Sequence, residues 1–145
     1  MTSEFTLAVH ALVYLYHKQS LVSSAELSEN ICTNSARVRK VMSKLHKKGL
    51  VESLLGKGSG YRAPAGAERF TLDIILSALD EQPISMSWRS GDIDRNCLIS
   101  SGMGGIMSDI YDDLNRCCLE RLATMRIGDI NARIFGKDGQ NHAKT

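Results

Sequence analysis

Apolar positions recur along this chain at two different periods, and the change of period marks out its elements. Phe5, Leu7, Ala8, Leu12 and Leu15 share one broad face at helical spacing, which predicts a helix over Glu4 to Lys18 with Ser3 as its cap. Ser23-Ser24-Ala25-Glu26 has the form of a capping box, and the short helix it opens, about Ser24 to Asn30, turns Leu27 inward. Ile31 and Cys32 fall in the turn that follows. Asn34 then caps a helix in which Val38, Val41, Met42 and Leu45 repeat every three or four residues. Gly49 ends that helix, because glycine takes a positive φ without steric cost. A β-like run from Leu50 to Leu55, the tip Gly56-Lys57-Gly58-Ser59-Gly60 and Tyr61-Arg62 together predict a hairpin with a flexible end. A short helix, a tight turn, a second helix and then a hairpin are the parts of a winged helix-turn-helix.

Beyond the wing, Pro64 and Gly66 break the chain, and Thr71 opens a helix from Leu72 to Leu79 that Pro83 terminates. Residues 84–96, ISMSWRSGDIDRN, hold no period and predict a mobile loop with Trp88 packed back on the body. A long helix follows from Ile99 or Ser100 to Leu122. Its apolar stripe runs through Met103, Ile106, Met107, Ile110, Leu114, Cys117, Cys118 and Leu122. Gly102, Gly104 and Gly105 weaken its start, each by about 1 kcal/mol relative to alanine. They do not make a phosphate loop, because no strand precedes them and no Gly-Lys-Ser/Thr follows. A long amphipathic helix outside a small domain needs a partner, and antiparallel pairing with a second copy is the simplest. Thr124 opens a last helix, Met125 to Phe135, and the polar residues 136–145 predict a disordered tail.

Charge sharpens this layout. Residues 34–62 hold eight Lys or Arg against the single acid Glu52, a local +7 in a chain whose net charge is +2, so the remainder carries −5. An excess confined to one helix and one loop tip is the footprint of a nucleic-acid reader. The helix would enter the major groove and the wing would touch the flanking backbone. The apolar run Phe5 to Tyr16 is too short to span a bilayer and contains His10, and no basic segment precedes it. A cytoplasmic protein is expected, with no membrane partner and with its four cysteines mostly reduced. His10 and His17, seven residues apart, read as surface or core-edge histidines rather than metal ligands. No nucleophile elbow, His-Glu-x-x-His or paired-carboxylate pattern is present, so catalysis is not expected.

The register Val38 to Leu45, then KKGLVES, then the wing GKGSGYR, with TLDIILSAL and the closing Thr124 to Ile130 segment, resembles the Rrf-two family of bacterial winged-helix transcription regulators. The resemblance runs from Phe5 to about Ile130. It implies a mainly α fold with a small β wing, a homodimer joined by the long helices, and a palindromic double-stranded DNA operator. It also implies that Ser35, Arg37, Arg39 and Lys40 face DNA from the helix, and Lys57, Tyr61 and Arg62 from the wing. On this reading residues 1–80 form the DNA-binding domain, 81–98 a sensor loop, 99–135 the dimerisation region and 136–145 the tail. Cluster-binding members of the family carry three cysteines in the loop and the start of the long helix, where this chain has Cys97 alone. One thiolate does not hold an iron–sulfur cluster, which takes about four protein ligands, so no cofactor is expected.

Cys97 lies beside Arg95 in the polar loop, and Cys32 lies just before the basic helix, near its N-terminal dipole; both settings favour thiolate. The expectation is that Cys32 and Cys97 are redox-active and form an intersubunit disulfide that changes operator affinity, as in thiol-sensing members of the family. The bland reading makes Cys32 a small turn residue and Cys97 an incidental thiol. Cys117 and Cys118, on the stripe, read as core. Repression is the default mode of action. Two other readings stay open: regulation by a small molecule with silent cysteines, and a winged helix used for protein–protein contact.

Overall fold

The computed structural model describes residues 1–136. Its helices are α1 (Ser3–Lys18), α2 (Ser24–Ile31), α3 (Ser35–Lys47), α4 (Leu72–Ala78), α5 (Leu98–Leu122) and α6 (Ile127–Phe135). Strands β1 (Glu52–Leu54) and β2 (Gly60–Arg62) lie between α3 and α4, with one 3-10 turn, Ala67–Arg69, after them. The expected mainly α fold with a small β wing is the fold observed. The tail expected over 136–145 lies, beyond Gly136, outside the described residues.

One core joins the first four helices. Leu7, Ala8, Ala11, Leu12 and Leu15 of α1 meet Leu27 of α2, and Val38, Val41, Met42 and Leu45 of α3 close the other side. Ile75 and Leu79, with Ile127 from the start of α6, complete it. Fully burying a Val, Leu or Met contributes about 1.5–3 kcal/mol, so the α3 register is set by Val38, Val41, Met42 and Leu45, and the polar faces follow from it.

The caps refine the predicted boundaries. Thr2, not Ser3, caps α1: its Oγ1 accepts from the Glu4 amide at 3.1 Å. Asn34 caps α3 as expected, its Oδ1 accepting from the Arg37 amide at 2.8 Å. Ser23 Oγ accepts from the Glu26 amide at 3.1 Å, but the Glu26 carboxylate does not return to the cap. It accepts from the Tyr14 hydroxyl at 2.7 Å instead, tying α2 to α1. That bond, ahead of desolvation, pushes the Tyr14 phenol up to about 12. Because the folded value is raised, this contribution is intact below the ordinary tyrosine range near 10 and is lost as pH climbs through 12. Tyr14 is therefore expected to stay largely un-ionised at about pH 11. The phenolate absorbance of the native protein minus that of Tyr14→Phe checks this; a titration centred at the ordinary value would refute the bond.

In the wing, β1 and β2 pair antiparallel with Glu52 opposite Arg62 and Ser53 opposite Tyr61. Val22, from the connection after α1, bridges the other edge of β2 through both backbone bonds to Tyr61, at 2.8 and 2.7 Å. A Cβ at Gly60 would stand 2.5 Å from the Val22 carbonyl oxygen, so that position requires glycine. Gly49, with φ 75°, makes the turn out of α3 as predicted.

The second half departs from expectation in detail. Thr71 stands at the head of α4 without a side-chain cap; its backbone pairs with Arg126, which brings the start of α6 beside α4. Thr124 closes α5 rather than opening α6, because its hydroxyl donates to the Arg121 carbonyl at 2.7 Å. α6 accordingly begins at Ile127, with Asp129 Oδ2 accepting from the Arg126 amide at 3.0 Å. Residues 84–96 contain no helix or strand, as read, but Trp88 is 76% exposed rather than packed on the body. The base of that segment is held instead by Asn115, buried on α5, whose side chain accepts from the Ile84 amide at 2.8 Å and donates to the Ile84 carbonyl at 2.9 Å.

α5 runs 25 residues, about 37 Å. Its only buried residues are Gly104 and Asn115. Met103, Ile106, Ile110 and Leu114 of the stripe are all exposed, and Cys117 is exposed with Cys118 half-buried. The two cysteines are thus not part of the core of the chain taken singly. No described helix is long and apolar enough to cross a membrane.

Candidate nucleic-acid interface

The buried stripe of α3 dictates what faces out. With Val38, Val41, Met42 and Leu45 inward, the exposed positions are Ala36, Arg39, Lys40, Ser43, His46 and Lys47, spaced at helical intervals along one face. The charge pattern marks Lys47 as outward but not Ala36 and Ser43, although steps of three and four residues from Arg39 reach both.

The expected helix contacts divide into two groups. Arg39 is exposed and lies close enough to Tyr61 for its charge to act on the phenol; burial pushes that phenol up and Arg39 works against it. Helix face and wing are thereby brought together. Lys40 is also exposed, with Nζ 3.0 Å from Glu4 Oε1. Ser35 and Arg37, by contrast, are half-buried and turned to the scaffold. Ser35 Oγ lies 3.0 Å from Ser28 Oγ across the turn, and the Arg37 guanidinium donates to Ser3 Oγ.

Glu4 is the residue that this grouping turns on, and nothing in the local pattern announced it. Its carboxylate takes Lys44 at 2.9 Å and Lys40 at 3.0 Å, and those two ammonium groups, Lys44 first, hold it below the ordinary carboxylate range. Lys44 is raised in return, chiefly by Glu4. Exposed pairs of this kind contribute about 0.2–1 kcal/mol, so Lys40 is free to exchange Glu4 for a phosphate. In the wing, Arg62 Nε and Nη2 both donate to Glu52 Oε2, at 2.9 and 2.8 Å. That pair sets the side chain across the hairpin, while Lys57 projects exposed from the tip between Gly56 and Gly58.

The two candidate thiols are both exposed and unbonded to another sulfur. Cys97 stands at the N-cap of α5, and its thiol is lowered by the backbone amides of Ser100 and then Ile99, not by Arg95. Cys32 does not meet the N-terminus of α3. It caps the C-terminus of α2 with φ 62°, and its Sγ donates at 3.6 Å to the Glu29 carbonyl, a bond that uses the protonated thiol.

The profile of the Rrf2 family, described as iron-dependent transcriptional regulators, matches residues 1–133. The HTH-type transcriptional regulator IscR of Vibrio parahaemolyticus is 33% identical over 129 residues, covering 86% of this chain and 77% of its own. In fold, the chain is similar to a provisionally assigned transcriptional regulator from Lactobacillus plantarum, with a TM-score of 0.81, 22% identity and 98% and 96% of the two chains covered. It is also similar to CymR, the global cysteine regulator of B. subtilis, with a TM-score of 0.66, 15% identity and 91% and 95% covered.

The family description implies iron, and the donor set here does not fit it. Among the described residues no group of three or more His, Cys, Asp or Glu stands together as metal ligands, and the loop before α5 supplies one thiol, Cys97. The match over nearly the whole chain, the regulator relatives and a helix-turn-helix with its basic face beside the wing agree: the chain belongs to the Rrf2 family of DNA-binding transcriptional regulators and is not an enzyme.

Proposed function

We propose that this protein is a homodimeric repressor that reads a palindromic operator and is switched by oxidation of Cys97. The observation that carries the proposal is a contrast between two exposed faces. α3 offers a basic stripe beside the wing, and α5 offers an apolar one that the described residues of its own chain leave exposed. Residues 1–80 act as the DNA-binding domain, 99–135 as the dimerisation region and 81–98 as the sensor loop. Arg39, Lys40, Lys57, Tyr61 and Arg62 contact DNA, with Ser35 and Arg37 orienting the recognition helix from behind.

The lowered thiol of Cys97 supports its role as the attacking group. A hydroperoxide converts the Cys97 thiolate to sulfenic acid. The Cys32 thiol of the other subunit then displaces water to form a disulfide. The bond needs Cα atoms within about 7 Å, which the second copy would supply at the loop before α5.

The test is the affinity of the full chain for DNA selected from a random pool, measured against salt before and after peroxide. Affinity should fall with salt at a log–log slope steeper than about −5, the value for some six phosphate contacts. Peroxide should lower affinity and yield a reducible band at twice the monomer mass, and Cys97→Ser should abolish both changes while leaving reduced binding intact. A flat salt dependence would favour a protein–protein module instead. An unchanged oxidant response in Cys97→Ser would remove the switch.

A further inference from the structure

A groove of about 780 Å³ opens between α1 and α6, away from the α3 face. Its walls are apolar: Phe5, Val9 and Val13 at intervals of four on α1, and Ile130, Ile134 and Phe135 on α6. The volume falls within the range of small-molecule sites. Polar groups gather along the α1 side of the same groove. His10 Nε2 is 2.8 Å from Asn30 Oδ1, and the Lys18 ammonium stands over the Tyr14 ring at 5.4 Å from its centroid. His17 and Phe135 stack, with centroids 3.9 Å apart and planes 6° from parallel.

The charges are one-sided. Among the described residues no Asp or Glu lines the groove. The nearby Glu26 is engaged by the Tyr14 hydroxyl, and among the described residues no carboxylate pairs with Lys18. A cation–π contact holds that ammonium at the end of an apolar trough without neutralising it. The α5 stripe differs: it is the face of one helix, suited to another helix, whereas this trough is concave and brings its own hydrogen-bonding groups.

We propose that the α1–α6 groove is a binding site for a small aromatic carboxylate, its ring between the α1 and α6 walls and its carboxylate on Lys18. Hydrogen bonds to a charged group contribute about 1.5–3 kcal/mol, so charge on the ligand should matter by about ten-fold or more. The wall formed by α1 is continuous with the helix-turn-helix, through His10–Asn30 to α2 and through Glu4 to α3.

The experiment is a titration of the full chain with 2-naphthoate, followed by amide shifts in two-dimensional NMR, with 2-naphthamide as the uncharged control. Saturable shifts are expected at Val9, Val13 and Ile134, with binding about ten-fold weaker for the amide and for Lys18→Ala. Val9→Trp, which fills the trough, should abolish the shifts, and Lys18→Ala serves if that variant does not fold. Equal binding of the amide, shifts centred on Ile106 and Ile110, or no saturation up to about 10 mM would each overturn the site. So would groove amides that respond to protein dilution and not to naphthoate, since a second copy would then be its cover.

Discussion

Replacing Ile110 with glutamate is expected to leave a folded monomer that no longer holds its operator. α5 spans Leu98–Leu122, so Ile110 stands at its midpoint. In an antiparallel pairing about a two-fold axis, the midpoint residue meets its own copy, and the substitution sets two carboxylates against each other in an apolar seam. Ile110 is 45% exposed in the single chain and absent from the core that joins α1 to α4, so the head loses nothing when it changes. Joining two half-site readers strengthens binding by about 10²–10⁴-fold over one reader alone, and a monomer forfeits that factor. Sedimentation of the variant should give a single-chain mass, its far-ultraviolet circular dichroism should match the parent, and operator affinity should drop by at least about 100-fold. A variant that stays dimeric would place the dimer seam elsewhere.

The head was readable because its signals are local. The four apolar positions of α3, the Asn34 cap, Gly49 and the Gly-rich tip each act within a turn of themselves, and each fell where the sequence placed it. What was not readable depends on residues far apart in the chain. Thr2 and Ser3 both offer a hydroxyl to α1. Ser3 is drawn off to Arg37, which lies 34 residues away, and the cap moves to Thr2. Glu26 could have returned to its own cap, but Tyr14, twelve residues back, takes it. Cys32 looked like a residue before α3; the left-handed cap that ends α2 turns its sulfur toward carbonyls instead of amides. Trp88 had no period around it from which a packing face could be read, and the structure leaves it in solvent. The same limit governs the basic residues of α3, where charge alone did not separate the half-buried Arg37 from the exposed Arg39.

That separation is a prediction of large effect. Arg39→Ala should weaken operator binding by about 1–3 kcal/mol, or roughly ten- to a hundred-fold, and Arg37→Ala should weaken it far less. The two side chains differ by two positions, and on a helix that is a turn of about 200°, nearly the opposite face. Arg39 stands exposed beside the wing, with Tyr61 near enough to feel its charge. Arg37 is half-buried and donates to Ser3 across to α1, so its loss falls on stability and helix placement. Measuring both variants on the selected operator and on scrambled DNA divides the effect further. If Arg39 reads a base edge through its planar fork, its removal should reduce the preference for operator over scrambled DNA. If it sits on phosphate, both affinities should fall together and the salt slope should shrink by about one. An Arg37→Ala variant that loses as much operator binding as Arg39→Ala, at unchanged thermal stability, would mean that α3 turns on its axis to meet DNA. The contacts from Glu4 to Lys40 and Lys44 would then have to break in the complex.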